Sequence, residues 1–140
     1  MTFINMGVVM AFVSITRLRL RSLRYLPAFM RDALITAQQA KKAPGNLRVR
    51  LRKTQGLTFW TLTVWQNESA MAAYRVSGPH KKAMPKLQQW CDEASVANWS
   101  QDTDVLPGWK EIKARMLSGG HLSRLTYPSR MHERGEINVS

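Results

Sequence analysis

Six side chains of the 140-residue sequence have types and spacings suited to chemistry on a small, flat molecule: Trp60, Trp65, Tyr74, His80, Asn98 and Arg50. His80 stands in "SGPHKK", after Pro79 and before Lys81 and Lys82. An imidazole there can act as a general base, a proton shuttle or an iron ligand. The two lysines are expected to lower its pKa, so that the neutral form prevails near pH 7. The bland alternative is a surface histidine at a helix start. Trp60, Trp65 and Tyr74 offer large rigid rings that stack on an aromatic ligand or, equally, fill a core. In a strand, Trp60 and Trp65 point to opposite faces, so at most one of them looks into a given pocket. Arg50 lies in the row Arg48, Arg50, Arg52, which alternates with Leu47, Val49 and Leu51. Its planar fork would grip a carboxylate or phenolate if it faced a pocket, but three buried, unpaired arginines would be ruinous. Exposure on an edge strand is the simpler reading. Asn98 is placed as an amide donor to a developing oxyanion.

These residues need a scaffold, and the hydrophobic periodicity supplies one. "AFVSITRLRL" (residues 11–20) reads as a strand partly covered on both faces. After Pro27, apolar residues recur at helical spacing to Ala40, Lys41 and Lys42 suit the negative end of that helix, and Pro44-Gly45 stops it. "NLRVRLRK" is a period-two strand, and Gln55-Gly56 turns it into a central strand over residues 57–66. In that strand Leu57, Phe59 and Trp65 share one face, and Trp60, Leu62 and Val64 the other. Asn67 caps a second helix, Ser77-Gly78-Pro79 breaks it, and a short turn at His80 is interrupted by Pro85 before a short helix around Leu87 to Cys91. "ASVANWS" (94–100) reads as a fourth strand, and a last helix is expected from about Pro107 to Leu117. Residues 121–140 lack periodicity. The order β-α-β-β-α-β predicts an α+β, ferredoxin-like antiparallel sheet with its helices on one face. The expected organisation is an N-terminal extension over 1–10, a domain over 11–118 and a C-terminal tail over 119–140.

Composition sets bounds. One domain of this length can bury a core without staples, and the single cysteine, Cys91, cannot form an intramolecular disulfide. No targeting segment is evident, because the apolar opening "MTFINMGVVMAFVSI" has no basic residue before it and stops at Thr16-Arg17; a cytoplasmic setting is the expectation. The net charge is +12, and residues 1–86 hold 15 Lys/Arg against only Asp32 and Glu68. Such a field draws anions. No carboxylate pair, phosphate loop, zinc motif or nucleophile elbow appears. "TFWTLTVW" lacks the glycines and basic start of an RNA-recognition strand, so nucleic acid is not the expected partner. "TRLRLRSLRYL" does place charge beside apolar residues, as a membrane surface would require.

One layer of helices leaves the second sheet face bare, although the central strands are apolar on both. A second copy of the sheet in a homodimer would cover it. The run "FWTLTVWQNESAMAAYRVSGPHKKAM" resembles the third strand and second helix of the antibiotic biosynthesis monooxygenase superfamily, the dimeric α+β barrels. Its features are a strand ending at Trp65, an acidic, Ala-rich helix from Glu68 to Ala73, and the lip Ser77-Gly78-Pro79-His80. The resemblance spans residues 11–101. It implies a homodimer with a small-molecule pocket and a cofactor-independent monooxygenase-like activity on an apolar or aromatic, anionic compound. Trp60 or Trp65, Tyr74 and Arg50 would then hold substrate, His80 would move a proton and Asn98 would stabilise the oxyanion. The haem-degrading branch is disfavoured, because Thr16, Tyr74 and Met84 occupy its key places. The alternatives are a haem-binding relative with His80 as axial ligand, and a binding protein of the same fold without catalysis.

Overall fold

A computed structural model of the chain describes residues 10–140. In chain order the elements are β1 (Ala11–Leu20), a 3-10 turn (Leu23–Tyr25), α1 (Leu26–Lys42), β2 (Asn46–Lys53), β3 (Thr58–Trp65), α2 (Glu68–Arg75) and α3 (Gly78–Trp90). They continue with β4 (Cys91–Gln101), α4 (Trp109–Gly119), β5 (His121–Leu122) and α5 (Arg130–Glu133). The sheet order is β2-β3-β1-β4-β5, and every pairing is antiparallel. This is the expected ferredoxin-like α+β sheet with a short fifth strand added.

The local signals act as their chemistry dictates. Asn67 caps α2, its side-chain oxygen accepting from Ala70 N–H at 2.9 Å. Gly56, at φ +55°, makes the β2–β3 turn. Gly45, at φ +86°, passes so close to α2 that a Cβ there would lie 2.6 Å from the Ala70 Cβ. One local expectation fails. Pro79 and Pro85 do not divide the segment, since α3 runs unbroken from Gly78 to Trp90 and β4 begins at once. Pro85 lies on the exposed side of the helix, whereas Ala83 and Leu87 turn inward. Packing of α3 on α1 therefore holds the helix together despite the hydrogen bond that proline removes.

Alternation along the strands sends the two sheet faces into different surroundings. Phe12, Ser14, Thr16 and Leu18 of β1 lie beside Trp65, Thr63, Thr61 and Phe59 of β3, on the face covered by α1, α2 and α3. Val13, Ile15 and Arg17 lie beside Val64, Leu62 and Trp60 on the other face. There, α4 supplies Ile112 and Met116, and Ile137 and Val139 complete the cover. Two expectations are corrected here. The second apolar face is closed by the chain's own α4 and terminal segment rather than by a second sheet, and residues 119–140 are an ordered part of this domain rather than an arm. The expected extension over 1–10 lies, but for Met10, outside the described residues.

A buried ion network fastens the terminal segment. Arg17, 1 % exposed, donates to Glu93 at 2.8 Å and to the Ser140 carbonyl at 3.2 Å. The second oxygen of Glu93 accepts from the Ser129 hydroxyl at 3.0 Å, and Asn138 donates to the first at 3.1 Å. Arg19 binds Asp92 through two bonds at 2.9 and 3.0 Å. Burial alone would raise the Glu93 carboxyl, but the Arg17 hydrogen bond, the charge of Arg19 and the Ser129 hydroxyl hold it below its ordinary value. Among the described residues, no helix is long and apolar enough to cross a membrane.

Candidate functional site

The inner face of the sheet is floored by short polar side chains. The registers place Thr63, Ser14 and Asn98 in one row across β3, β1 and β4, then Thr61, Thr16 and Val96, then Phe59, Leu18 and Ala94. Serine and threonine end well short of the helices above, so a cavity of ≈ 560 Å³ remains, within the range of small-molecule sites. Phe29 and Thr36 of α1, Met71 and Tyr74 of α2, and His80 and Leu87 of α3 form its roof. Polarity is graded along the cavity. Hydroxyls and Asn98 lie in the first rows, while Leu18, Phe29, Leu87 and Leu125 close the far end. Arg75, His121 and Arg124, all exposed, stand at the rim. Asp32, also in the lining, is already engaged by Lys86 at 3.1 Å.

Three rings are arranged in series. Trp65, fully buried, stacks behind Tyr74 with centroids 5.1 Å apart, and Tyr74 meets the imidazole of His80 at 4.8 Å. Burial pushes the Tyr74 phenol up to about 12, so it stays protonated and donates to the Thr36 carbonyl at 3.2 Å. His80 Nδ1 lies 3.0 Å from the Arg75 carbonyl. A carbonyl only accepts, so Nδ1 carries the proton and Nε2 keeps a lone pair. Burial, chiefly, lowers the His80 pKa, with the Arg75 charge adding to it and the carbonyl bond opposing. The neutral imidazole thus prevails near pH 7, as expected, but the cause is desolvation and not Lys81 and Lys82.

Gln39 of α1, which the sequence did not single out, clamps the turn that carries His80. Its oxygen accepts from His80 N–H at 2.8 Å, and its amide donates to the Ser77 carbonyl at 2.9 Å. Gly78, at φ +54°, lies against the same side chain.

Of the residues named from the sequence, Tyr74, His80 and Asn98 come together around the cavity, with Trp65 directly behind Tyr74. Trp60 and Arg50 do not join them. Trp60 is buried on the opposite face in edge contact with Trp109 at 4.8 Å, and its indole N–H has no hydrogen-bond partner. Arg50 pairs with Leu62, whose side chain points to that same opposite face, and it is exposed on the edge strand. Ser14, Thr16, Thr61 and Thr63 are the site residues that sequence reasoning missed, although they stand at every second position of β1 and β3. Cys91 is fully buried, and burial together with Asp92 pushes its thiol up to about 12, so it is no nucleophile. Among the described residues, no three His, Cys, Asp or Glu side chains are grouped to hold a metal.

Solved structures share this fold. A conserved protein from Methanosarcina mazei Go1 superposes with TM-score 0.60 at 14% identity, over 69% of this chain and 97% of the other. A protein provisionally assigned as an antibiotic biosynthesis monooxygenase from Nitrosomonas europaea gives 0.59 at 16%, over 72% and 96%. SnoaB, a cofactor-independent oxygenase from Streptomyces nogalater, gives 0.56 at 15%, over 70% and 98%. At these identities the likeness is one of fold. It bears out the resemblance read around Trp65 to His80 as far as architecture goes. No curated protein shows significant sequence similarity. The model of the family described as a domain of unknown function, DUF3291, matches residues 26–123, from the start of α1 through β5 and thus most of the cavity wall, and the chain belongs to that family.

Proposed function

We propose that the protein binds a small, flat, largely apolar molecule carrying an acidic C–H or O–H group, and that His80 removes that proton in an oxygenase-type reaction requiring no bound cofactor. The observation that carries this reading is a neutral imidazole, tied at Nδ1 and open at Nε2, on the wall of a cavity that is apolar at one end and hydroxyl-lined at the other. Tyr74 presents its ring to the ligand, and Trp65 stiffens it from behind. Asn98, whose side chain makes no hydrogen bond within the described residues, is available to a substrate carbonyl whose oxygen gains charge as the proton leaves. Arg75 and Arg124 at the rim favour an anionic substituent that stays near solvent. With a methylene substrate the carbanion reacts with dioxygen and the balance is CH2 + O2 → C=O + H2O; the proton taken up by Nε2 leaves in the water. SnoaB, which shares the fold, is an oxygenase of the cofactor-independent kind.

The cavity lies within one protomer. A homodimer, the assembly implied by the fold resemblance, is therefore not needed to complete it.

The test is oxygen uptake over a panel of hydroquinones and anthrones, run beside native mass spectrometry of the purified protein. Uptake by the wild type that drops at least 100-fold in His80→Ala, with ligand binding retained, is the expected result. Saturable binding without turnover in either protein would leave a binding protein of this fold. Neither binding nor turnover would remove the proposal.

A further inference from the structure

The turn between β1 and α1 forms a cationic, aromatic knuckle that the pocket does not use. Leu23 at its tip is 70% exposed, more than any other large apolar side chain among the described residues. Arg21 and Arg24 flank it. Both guanidinium groups converge on one phenol oxygen, Arg21 Nη2 at 2.6 Å and Arg24 Nη2 at 2.7 Å from Tyr25. Neither arginine has a carboxylate partner within the described residues, in contrast to Arg17 and Arg19 of the same stretch, which are ion-paired. Two like charges gathered at one oxygen repel each other, and the phenol proton, facing two donors, must point away from both. An anion set outside them would relieve the repulsion and accept that proton.

The surroundings favour a particular source for that anion. Tyr127, 52% exposed, lies under Arg21 at 4.2 Å, and Trp90 stacks with Tyr25 at 6.1 Å. Aromatic rings beside arginines with a protruding leucine form the arrangement that settles at the headgroup level of a bilayer. Tyr25 and Trp90 also pack on the apolar cluster of Leu18, Phe29, Leu87 and Leu125, which closes the far end of the cavity. We infer that residues 21–25, with Trp90 and Tyr127, dock the protein on an anionic phospholipid surface, Leu23 entering the acyl boundary while Arg21, Arg24 and the Tyr25 hydroxyl hold phosphate. The net charge of +12 draws the protein to such a surface, and the knuckle fixes its orientation.

Sedimentation with phosphatidylcholine vesicles, with and without phosphatidylglycerol, tests this on the full chain. Binding should require the anionic lipid and weaken with salt. Arg21→Gln/Arg24→Gln should weaken it about thirty-fold and Leu23→Ser about ten-fold. Lys41→Gln/Lys42→Gln removes the same charge at the other end of α1, about 25 Å away, and should change it little. Circular dichroism confirms that each variant is folded. Equal losses in the two charge variants would show adhesion by net charge alone and overturn the inference. Full binding by Leu23→Ser would also overturn it, since a phosphate backbone such as single-stranded RNA needs the arginines but not the leucine.

Discussion

Thr63 and Thr61 are two residues apart on the same sheet face, and their hydroxyls do different work. Thr63 Oγ1 accepts from the Trp65 indole at 2.9 Å and donates to the Ser14 carbonyl at 3.3 Å, so it holds the ring on which Tyr74 rests. Thr63→Val keeps the volume but leaves the buried indole N–H without an acceptor. We expect a loss of about 1–3 kcal/mol, read from the urea midpoint. Thr61, which makes no side-chain hydrogen bond within the described residues, should tolerate valine with little change in stability and a measurable change in ligand affinity. His80 gives a pH signature. Its folded-state pKa lies below the ordinary 6.5, so the unfolded chain binds the proton first as pH falls. Its contribution to stability is therefore complete above about 6.5 and declines as pH drops toward the folded-state value. Melting temperatures taken across that window should fall more steeply in wild type than in His80→Gln. The chemistry of His80 was legible in the sequence because Pro79 and the lysines mark a lip. The hydroxyl floor was not, because attention to apolar alternation in β1 and β3 passes over the small residues between, and the cavity exists where those residues are small.

Among the elements, the α2–α3 turn decides where the base sits. Gln39 reaches it from α1 across 41 residues of sequence, bonding His80 N–H and the Ser77 carbonyl. Periodicity records which face of a helix is buried but not which polar side chain at its edge meets a distant turn, so this clamp leaves no trace in the pattern of α1. Gln39→Ala should lower proton-transfer activity more than it lowers stability, through kcat rather than KM, because it frees the turn without touching the cavity wall; steady-state kinetics beside thermal melts would separate the two. Gly78→Ala should cost about 1 kcal/mol, since a left-handed backbone disfavours any Cβ, and its melting temperature reads that directly. The strands and the β2–β3 hairpin were visible in advance from parity and from Gly56. The continuity of α3 was not, because Pro85 is a breaker by local rules and only the contact of α3 with α1 outweighs it.

For the molecule as a whole, the question is what closes the outer sheet face. Trp60, Leu62, Val64 and Ile15 made it plain from the sequence that this face is apolar, but its cover comes from a segment with no periodic signal: α4, then Ile137 and Val139 held down by the Arg17–Glu93 network. An aperiodic stretch can bury two alternating apolar residues and tie itself with hydrogen bonds without any pattern long enough to read. Glu93 is the fastener most open to test. Its depressed carboxyl contributes stability that is present above the ordinary value of 4.5 and is lost as pH falls through the folded-state value. Glu93→Gln leaves Arg17 buried without its counter-charge and should cost about 3 kcal/mol at neutral pH while flattening the acid limb of the stability curve. Removing residues 136–140 takes away Ile137 and Val139 and bares part of the face while sparing the cavity on the other side of the sheet. Light scattering should then show the truncated chain associating through the outer face, as two such sheets do in a dimeric α+β barrel, while the full chain does not pair there. If both chains have the same mass and the same melting temperature, the terminal segment is not what covers that face.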